Sequence, residues 1–449
     1  MPARRNGATR RTALTLLAAS ALMRSSRLGF AAAKTETVTM VINQSPWFES
    51  IRKLVDLYEK ETGNRVELDV NPFAGSLEKQ RNSVRSKDGQ YDLLVMNSGW
   101  FAEMYFGGFV EAVTDIDPSF KLDPQLYTLG DTVFFDAQTK TMTPKGKLMS
   151  LPFAPIIPML YYRGDLYKSA GLKVPDTFAE LEANCRKLHK PPAIYGIVQR
   201  GARGPHTVAY DFYPYLYGFG GSIFKDQPIG DYSVTLNDEA GRSALDYYIR
   251  LAREAGHPKT ASFDQAEVLQ SFLTGKAAHV IAVIAAWSQM DDPDKSAIVD
   301  KAEYAPPPHA PGFPTAPALG HWLVGISRNV PDGRKRGAVE FFRWFQTKDT
   351  QIALAKAGGM PVHAAAYEDP IVDERRFRWM KPLAAALPKA VNIYQFPEAN
   401  EVIAILELGL NRAIAGETSS IDALNTMAGQ IYDVMSRYGY RTAKLEPLR

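Results

Sequence analysis

The side chains that could do covalent or metal chemistry are few and scattered. Seven histidines (His189, His206, His257, His279, His309, His321 and His363) offer no close pair on one helix face, the spacing a zinc site needs. Cys185 is the sole cysteine, so neither an intrachain disulfide nor a zinc shared between two thiolates can form. There is no H-E-x-x-H, no G-x-S-x-G elbow, no Walker loop and no G-x-G-x-x-G after a strand. GARG (201–204) could hold an anion on backbone N–H groups, but two glycines carry little specificity. Asp291, Asp292 and Asp294 surround a proline and read as a solvated loop, not an acid/base pair.

What recurs instead is a flat aromatic ring where an element ends. Trp47 follows the apolar run TVTMVINQ (37–44), and Trp100 lies just past YDLLVM (91–96). Tyr210 and Tyr213 sit in a glycine- and aromatic-rich stretch, GPHTVAYDFYPYLYGFGGS, read as a loop. Trp287 closes the apolar run of GKAAHVIAVIAAW, and Trp322 opens WLVGIS. Any one of these rings fits ordinary core packing. As a set at strand ends they fit a ligand pocket, because open α/β sheets bind ligands beyond the carboxyl ends of their strands. Aromatic faces there suit the C–H faces of sugars.

The elements that must position these rings alternate. Residues 37–44 alternate as a strand, and Ile51, Leu54, Val55 and Tyr58 then mark one helix face that Gly63 ends. Val66, Leu68 and Val70 alternate again, and 91–96 read as a fully buried strand. Strand, helix, strand, helix, strand predicts an α/β domain with a largely parallel sheet. A second α/β stretch begins near residue 155. It includes a helix announced by Pro175-Asp176-Thr177, a short strand in YGIVQR (195–200), a helix capped by Asp238, and a glycine-broken helix–strand pair over 268–287. Residues 305–317 hold six prolines and form a stiff connector. GAVEFFRWFQTKDTQIALAKAG (337–358) predicts one strong helix, and two amphipathic helices close the chain.

With 449 residues the chain exceeds one ordinary core. Residues 1–33 hold six arginines and no acid. Arg10-Arg11 precedes the apolar run Thr12–Met23, and Ala31-Ala32-Ala33 offers a cleavage site. This pattern is a signal peptide, too short to span a bilayer, and the paired arginines point to the twin-arginine route. The remainder carries 52 − 6 = 46 basic and 49 acidic residues, so nothing favours nucleic acid as a partner.

Three stretches carry a family resemblance: 89–116, 146–181, and the pair GKAAHVIAVIAAW (275–287) with ALGHWLVGIS (318–327). In order and spacing they resemble the carbohydrate-type extracellular solute-binding proteins of ABC importers. The resemblance implies an α/β, two-lobed periplasmic-binding-protein fold of type II, with discontinuous lobes joined by hinge crossovers near 152–156 and 318–324. Lobe one would comprise 34–152 and 322–375; lobe two would comprise 153–321 and 376–449 with the C-terminal helices. The expected ligand is a sugar or sugar-like solute, delivered to permease subunits in the inner membrane by a periplasmic, monomeric protein without cofactor or metal.

In that frame Trp47, Trp100, Tyr210, Trp287 and Trp322 wall the ligand, while Asn97, Asp211 and His321 bond it. Gly320 lets the backbone approach or bend, and His206 and Arg203 are further candidates. Where the family pattern carries a second glycine this chain has His321, which is either a ligand contact or a satisfied hinge histidine. The sequence also leaves open a polyol, phosphodiester, amine or metal binder, and a secreted polysaccharide-active enzyme, although no positioned carboxylate pair supports the last.

Overall fold

The computed structural model describes residues 33–393 and 395–449; the expected signal peptide lies almost wholly outside them. The first wave of elements is β1 (Val38–Asn43), α1 (Phe48–Thr62), β2 (Val66–Asn71), α2 (Phe73–Arg85), β3 (Leu93–Asn97), β4 (Val110–Glu111) and β5 (Ser150–Ala154). A second follows: β6 (Pro158–Arg163), α3 (Phe178–Leu188), α4 (Val208–Gly218), α5 (Glu239–Ala255), α6 (Gln265–Leu273), β7 (His279–Val283) and β8 (Ala302–Ala305). The chain then returns through β9 (Ala318–Leu319) to β10 (Trp322–Ser327), α7 (Asp332–Phe345) and α8 (Lys348–Ala357). It ends with β11 (Val391–Asn392), α9 (Ala399–Ala415) and α10 (Ser420–Arg437).

Local chemistry accounts for most of these boundaries. On α1, Ile51, Leu54, Val55 and Tyr58 are all buried, and Gly63 ends the helix at φ 72°, a left-handed turn that glycine adopts without strain. Thr177 and Glu180 form a reciprocal capping box at α3, and the Asp238 carboxylate accepts from the Gly241 N–H at α5. Three expectations fail. The single helix expected over 337–358 is two, because Thr347 accepts from the Thr350 N–H and starts α8 afresh. YGIVQR makes only an isolated bridge, Tyr195 to Ala277. The aromatic stretch taken as a loop is helix α4, with Pro214 inside it.

Two sheets organise the molecule. The first runs β2-β1-β3-β10-β4, with β5 also pairing β10. Strands β1, β2 and β3 are parallel, whereas β10 is antiparallel to β3, β4 and β5. The second sheet is β7-β6-β8, all antiparallel. The chain passes from one sheet to the other through 155–157 and back through 306–321. These two passages are tied to each other where the Gly320 N–H donates to the Ile156 carbonyl at 2.9 Å. Among the described residues, no helix is long and apolar enough to cross a membrane.

Candidate functional site

The antiparallel insertion of β10 assembles the aromatic wall. Its first residue, Trp322, pairs with Asn97, the last residue of β3, and with Ala154, the last of β5. Trp322 therefore lies at the same sheet edge as Trp47, just past β1, and Trp100, just past β3. The Trp322 ring is 5.6 Å from Trp47, 5.3 Å from Trp100 and 6.0 Å from Phe73, each edge-to-face. This is the favoured arrangement for aromatic quadrupoles.

This edge faces loops of the second sheet across an inner cavity of about 280 Å³. Trp47, Phe73, Asn97 and Trp322 line it from one side; Arg200, His206, Tyr210, Asp264 and Gln265 line it from the other. Ile156 and Gly320, from the two passages, also line it. A second cavity of about 340 Å³ adjoins, lined by Gly99, Trp100, Gly204, Asn400, Ile403 and Ala404. Phe73, Asn97, Pro205 and His206 belong to both.

Six of the nine residues expected at the site line these cavities: Trp47, Asn97, Tyr210, Gly320 and Trp322 the inner one, Asn97 and Trp100 the outer. Tyr210 donates its hydroxyl to the Ile156 carbonyl at 3.2 Å, which fixes the ring against the passage. At Gly320 a Cβ would lie 2.4 Å from the Tyr210 ring. The glycine's hydrogen atom makes room for that ring.

The other three sit elsewhere. Trp287 lies four residues beyond the end of β7, stacked on Trp379 at 4.7 Å. His321 is buried beneath the aromatic wall. Its Nε2 is 2.8 Å from the Thr132 hydroxyl and its Nδ1 3.2 Å from the Leu319 carbonyl. Burial pushes the imidazole down to about 4, with the Leu319 carbonyl acting in the opposite sense. These bonds and this burial fit the satisfied hinge histidine, not the ligand contact. Asp211 lies behind Arg200, its carboxylate 3.3 Å from the Arg200 Nε. Burial pushes Asp211 up to about 7; Arg200 pulls it down, and Asp264 and Glu407 push it further up.

Two residues that the sequence reading did not single out shape the second wall. Arg200 is 3 % exposed, faces the cavity, and is held by Asp211, the Gln265 side chain and the Thr207 carbonyl. It thus already faces the carboxyl groups of Asp211 and Asp264 before any ligand arrives. Glu407, on α9, accepts from the N–H groups of Gly204, Thr207, Val208 and Ala209 at 2.6–3.2 Å, and from the Thr207 hydroxyl. It satisfies the orphan donors at the start of α4 and so fixes the loop that carries His206. Sequence spacing could not have paired Glu407 with a loop two hundred residues away; α4 itself was hidden by its glycine and proline neighbours. Arg203 is exposed and lines neither cavity. Among the described residues, no group of three or more His, Cys, Asp or Glu could hold a metal.

Comparison with known proteins agrees with this architecture. The family model described as bacterial extracellular solute-binding protein matches residues 43–352. The mannitol-binding protein of Pseudomonas aeruginosa is 26% identical over 58% of this chain and 57% of its own length. A solute-binding protein of an ABC transporter from Agrobacterium radiobacter K84, solved with ribitol, superposes with a TM-score of 0.76 at 25% identity, covering 89% of this chain and 98% of that one. Maltose-bound MalE3 of T. maritima superposes equally well, 0.76 at 23% identity over 90% and 100% of the two chains, and bears on the fold alone. The fold is the two-lobed, type II periplasmic-binding-protein fold.

Proposed function

The chain belongs to the bacterial extracellular solute-binding protein family, and from that premise we propose that it is the solute-binding component of an ABC importer for a sugar or polyol. One observation carries this reading: a small cavity between two sheets, aromatic on one side and lined by paired polar groups on the other, at the place where the two passages meet. Rings such as Trp47 and Trp322 suit C–H faces, and the Arg200 N–H groups with the Asp264 and Gln265 oxygens suit hydroxyls. Arg200 is already matched by Asp211 at 3.3 Å and Asp264 at 3.8 Å. A neutral polyhydroxyl solute therefore fits better than a phosphate ester. The mannitol-binding and ribitol-bound relatives support the same class.

The expected boundary at 152/153 falls inside β5, which pairs with β10 through Ala154; lobe one is therefore 34–154 and 322–375, and lobe two 155–321 and 376–449, with the two passages as hinge. Solute that touches both walls stabilises the closed form, which docks on permease subunits in the inner membrane. The arginine-rich leader delivers a monomeric protein to the periplasm. A thermal-shift screen tests the reading, because a ligand of the folded state raises the melting temperature with concentration. Stabilisation by mannitol, ribitol or glucose is expected; stabilisation by glycerophosphodiesters alone would replace it.

A further inference from the structure

The inner and outer cavities are separated by side chains that come from both walls. Phe73 and Asn97 belong to the first, Pro205 and His206 to the second, and each of the four lines both chambers. His206 is held there at some cost. Its φ is 69°, a left-handed conformation that a non-glycine residue adopts only when its surroundings enforce it. The enforcement is visible: Glu407 binds the N–H groups of Gly204 and Thr207 on either side, and the imidazole packs edge-to-face on Tyr210 at 5.1 Å. Across the cleft Phe73 is braced by Trp100 at 4.7 Å and Trp322 at 6.0 Å.

We propose that His206 and Phe73 form a partition that restricts the site to a ligand of one sugar unit or one short polyol, leaving the outer chamber as a closed-off second subsite. This rests on the solute-binding reading above. The inner chamber, about 280 Å³, falls just below the range of about 300–1,000 Å³ usual for drug-sized ligands. Its size leaves ample room for one hexitol or one pyranose and little to spare for two linked rings. The outer chamber is lined by Trp100, Asn400 and Gly99, and a second ring would take over the Asn400 amide that now donates to the Gly99 carbonyl at 3.4 Å. Asn97 and Pro205 line both chambers beside the partition.

Position 206 allows a clean test. Glycine adopts φ near 69° without strain, so His206→Gly keeps the backbone and removes the ring. Titration calorimetry with mannitol, ribitol, glucose and maltose is run on the wild type, His206→Gly and Phe73→Ala, each with its melting temperature. The wild type is expected to bind a polyol or glucose at least about tenfold more tightly than maltose, and His206→Gly to reverse or abolish that preference by about tenfold. Phe73→Ala is expected to act in the same direction and provides the answer if His206→Gly does not fold. Wild-type binding of maltose as tight as that of the small ligands overturns the partition and leaves the solute-binding reading standing. Folded variants that gain no maltose affinity also overturn it. A wild type that binds none of the four overturns both.

Discussion

The wall made by the first sheet is neutral and aromatic: Trp47, Phe73, Trp100 and Trp322 touch one another at the carboxyl edge of β1 and β3. The wall made by the second sheet is held by buried charge: Arg200, Asp211 and Glu407 are each 3 % exposed or less. The first wall is self-supporting, because each ring packs on another of the set. The second is supported from a distance, by a glutamate on a C-terminal helix and by ion pairs that must stay matched. A cleft with one stiff wall and one tethered wall can vary its ligand on the tethered side without disturbing the sheet that carries the rings.

The largest effect should come from the stiff wall. Trp322→Ala deletes the ring at the centre of the aromatic cluster, and a buried tryptophan truncated to alanine costs about 3–5 kcal/mol of stability. It should also weaken the ligand identified by thermal shift by about 10- to 1,000-fold. Urea unfolding and calorimetry measure the two separately. Full stability with unchanged affinity would mean that the rings are not the wall at all.

Next comes the tether. Glu407→Ala leaves four backbone N–H groups without their acceptor, while the Thr207 hydroxyl keeps the Ala202 carbonyl, and buried unsatisfied donors cost about 1–3 kcal/mol each before relaxation. A net loss of order 3 kcal/mol is expected, with Glu407→Gln intermediate because the amide keeps one acceptor oxygen. Ligand affinity should fall with it, since His206 and Tyr210 ride on the same segment. If urea unfolding reports no loss for Glu407→Ala, the second wall stands without its tether, and the contrast between the walls disappears.

The same contrast explains what could be read from sequence. Three rings of the stiff wall were legible because each borders an apolar run whose period declares a strand: Trp47 after β1, Trp100 after β3, Trp322 at the head of β10; Phe73, at the start of α2, carried no such mark. Trp287 misled for the same reason, since IAVIAAW looks continuous, yet β7 ends at Val283 and the chain turns through a short helix before the ring. The tethered wall was largely illegible. Arg200 ends a segment mistaken for a strand, Glu407 looks like one more polar residue on an amphipathic helix, and α4 is held by a cap that only tertiary contact supplies. Hydrogen bonds across two hundred residues leave no periodic trace. His321 lay between these cases: its position at the passage was readable, its bond to Thr132 was not.

A smaller effect is expected where the walls are joined. Gly320→Ala places a Cβ 2.4 Å from the Tyr210 ring, and that ring is fixed by its hydroxyl bonds to Ile156 and Ala318. Overpacking of this kind costs about 1–3 kcal/mol. Gly320→Ala combined with Tyr210→Phe should recover part of it, because the hydroxyl oxygen, also 2.4 Å from that Cβ, and the bonds that fix the ring are both gone; combined with Tyr210→Ala it should recover most of the local strain. Equal urea midpoints for Gly320→Ala and wild type would show that the passage can shift away from Tyr210.

The finest test separates the walls by pH. Asp211, on the charged side, has an ordinary value of 3.8 and is pushed up to about 7 in the fold. Between those values the folded chain holds a proton that the unfolded chain has released. Its contribution is therefore full below about pH 4, is lost as pH rises towards 7, and is level above. His321, beneath the aromatic side, runs the other way. It falls from 6.5 to about 4, so the unfolded chain takes up a proton first, and its contribution is lost as pH falls from 6.5 towards 4. Across this window the two slopes oppose each other in the wild type. Asp211→Asn removes one of them, and its melting temperature should rise more steeply from pH 4 to pH 6.5 than that of the wild type, whatever offset the lost Arg200 pairing adds. His321→Gln should do the reverse, and parallel curves for all three proteins would mean that neither group titrates differently in the folded and unfolded chain.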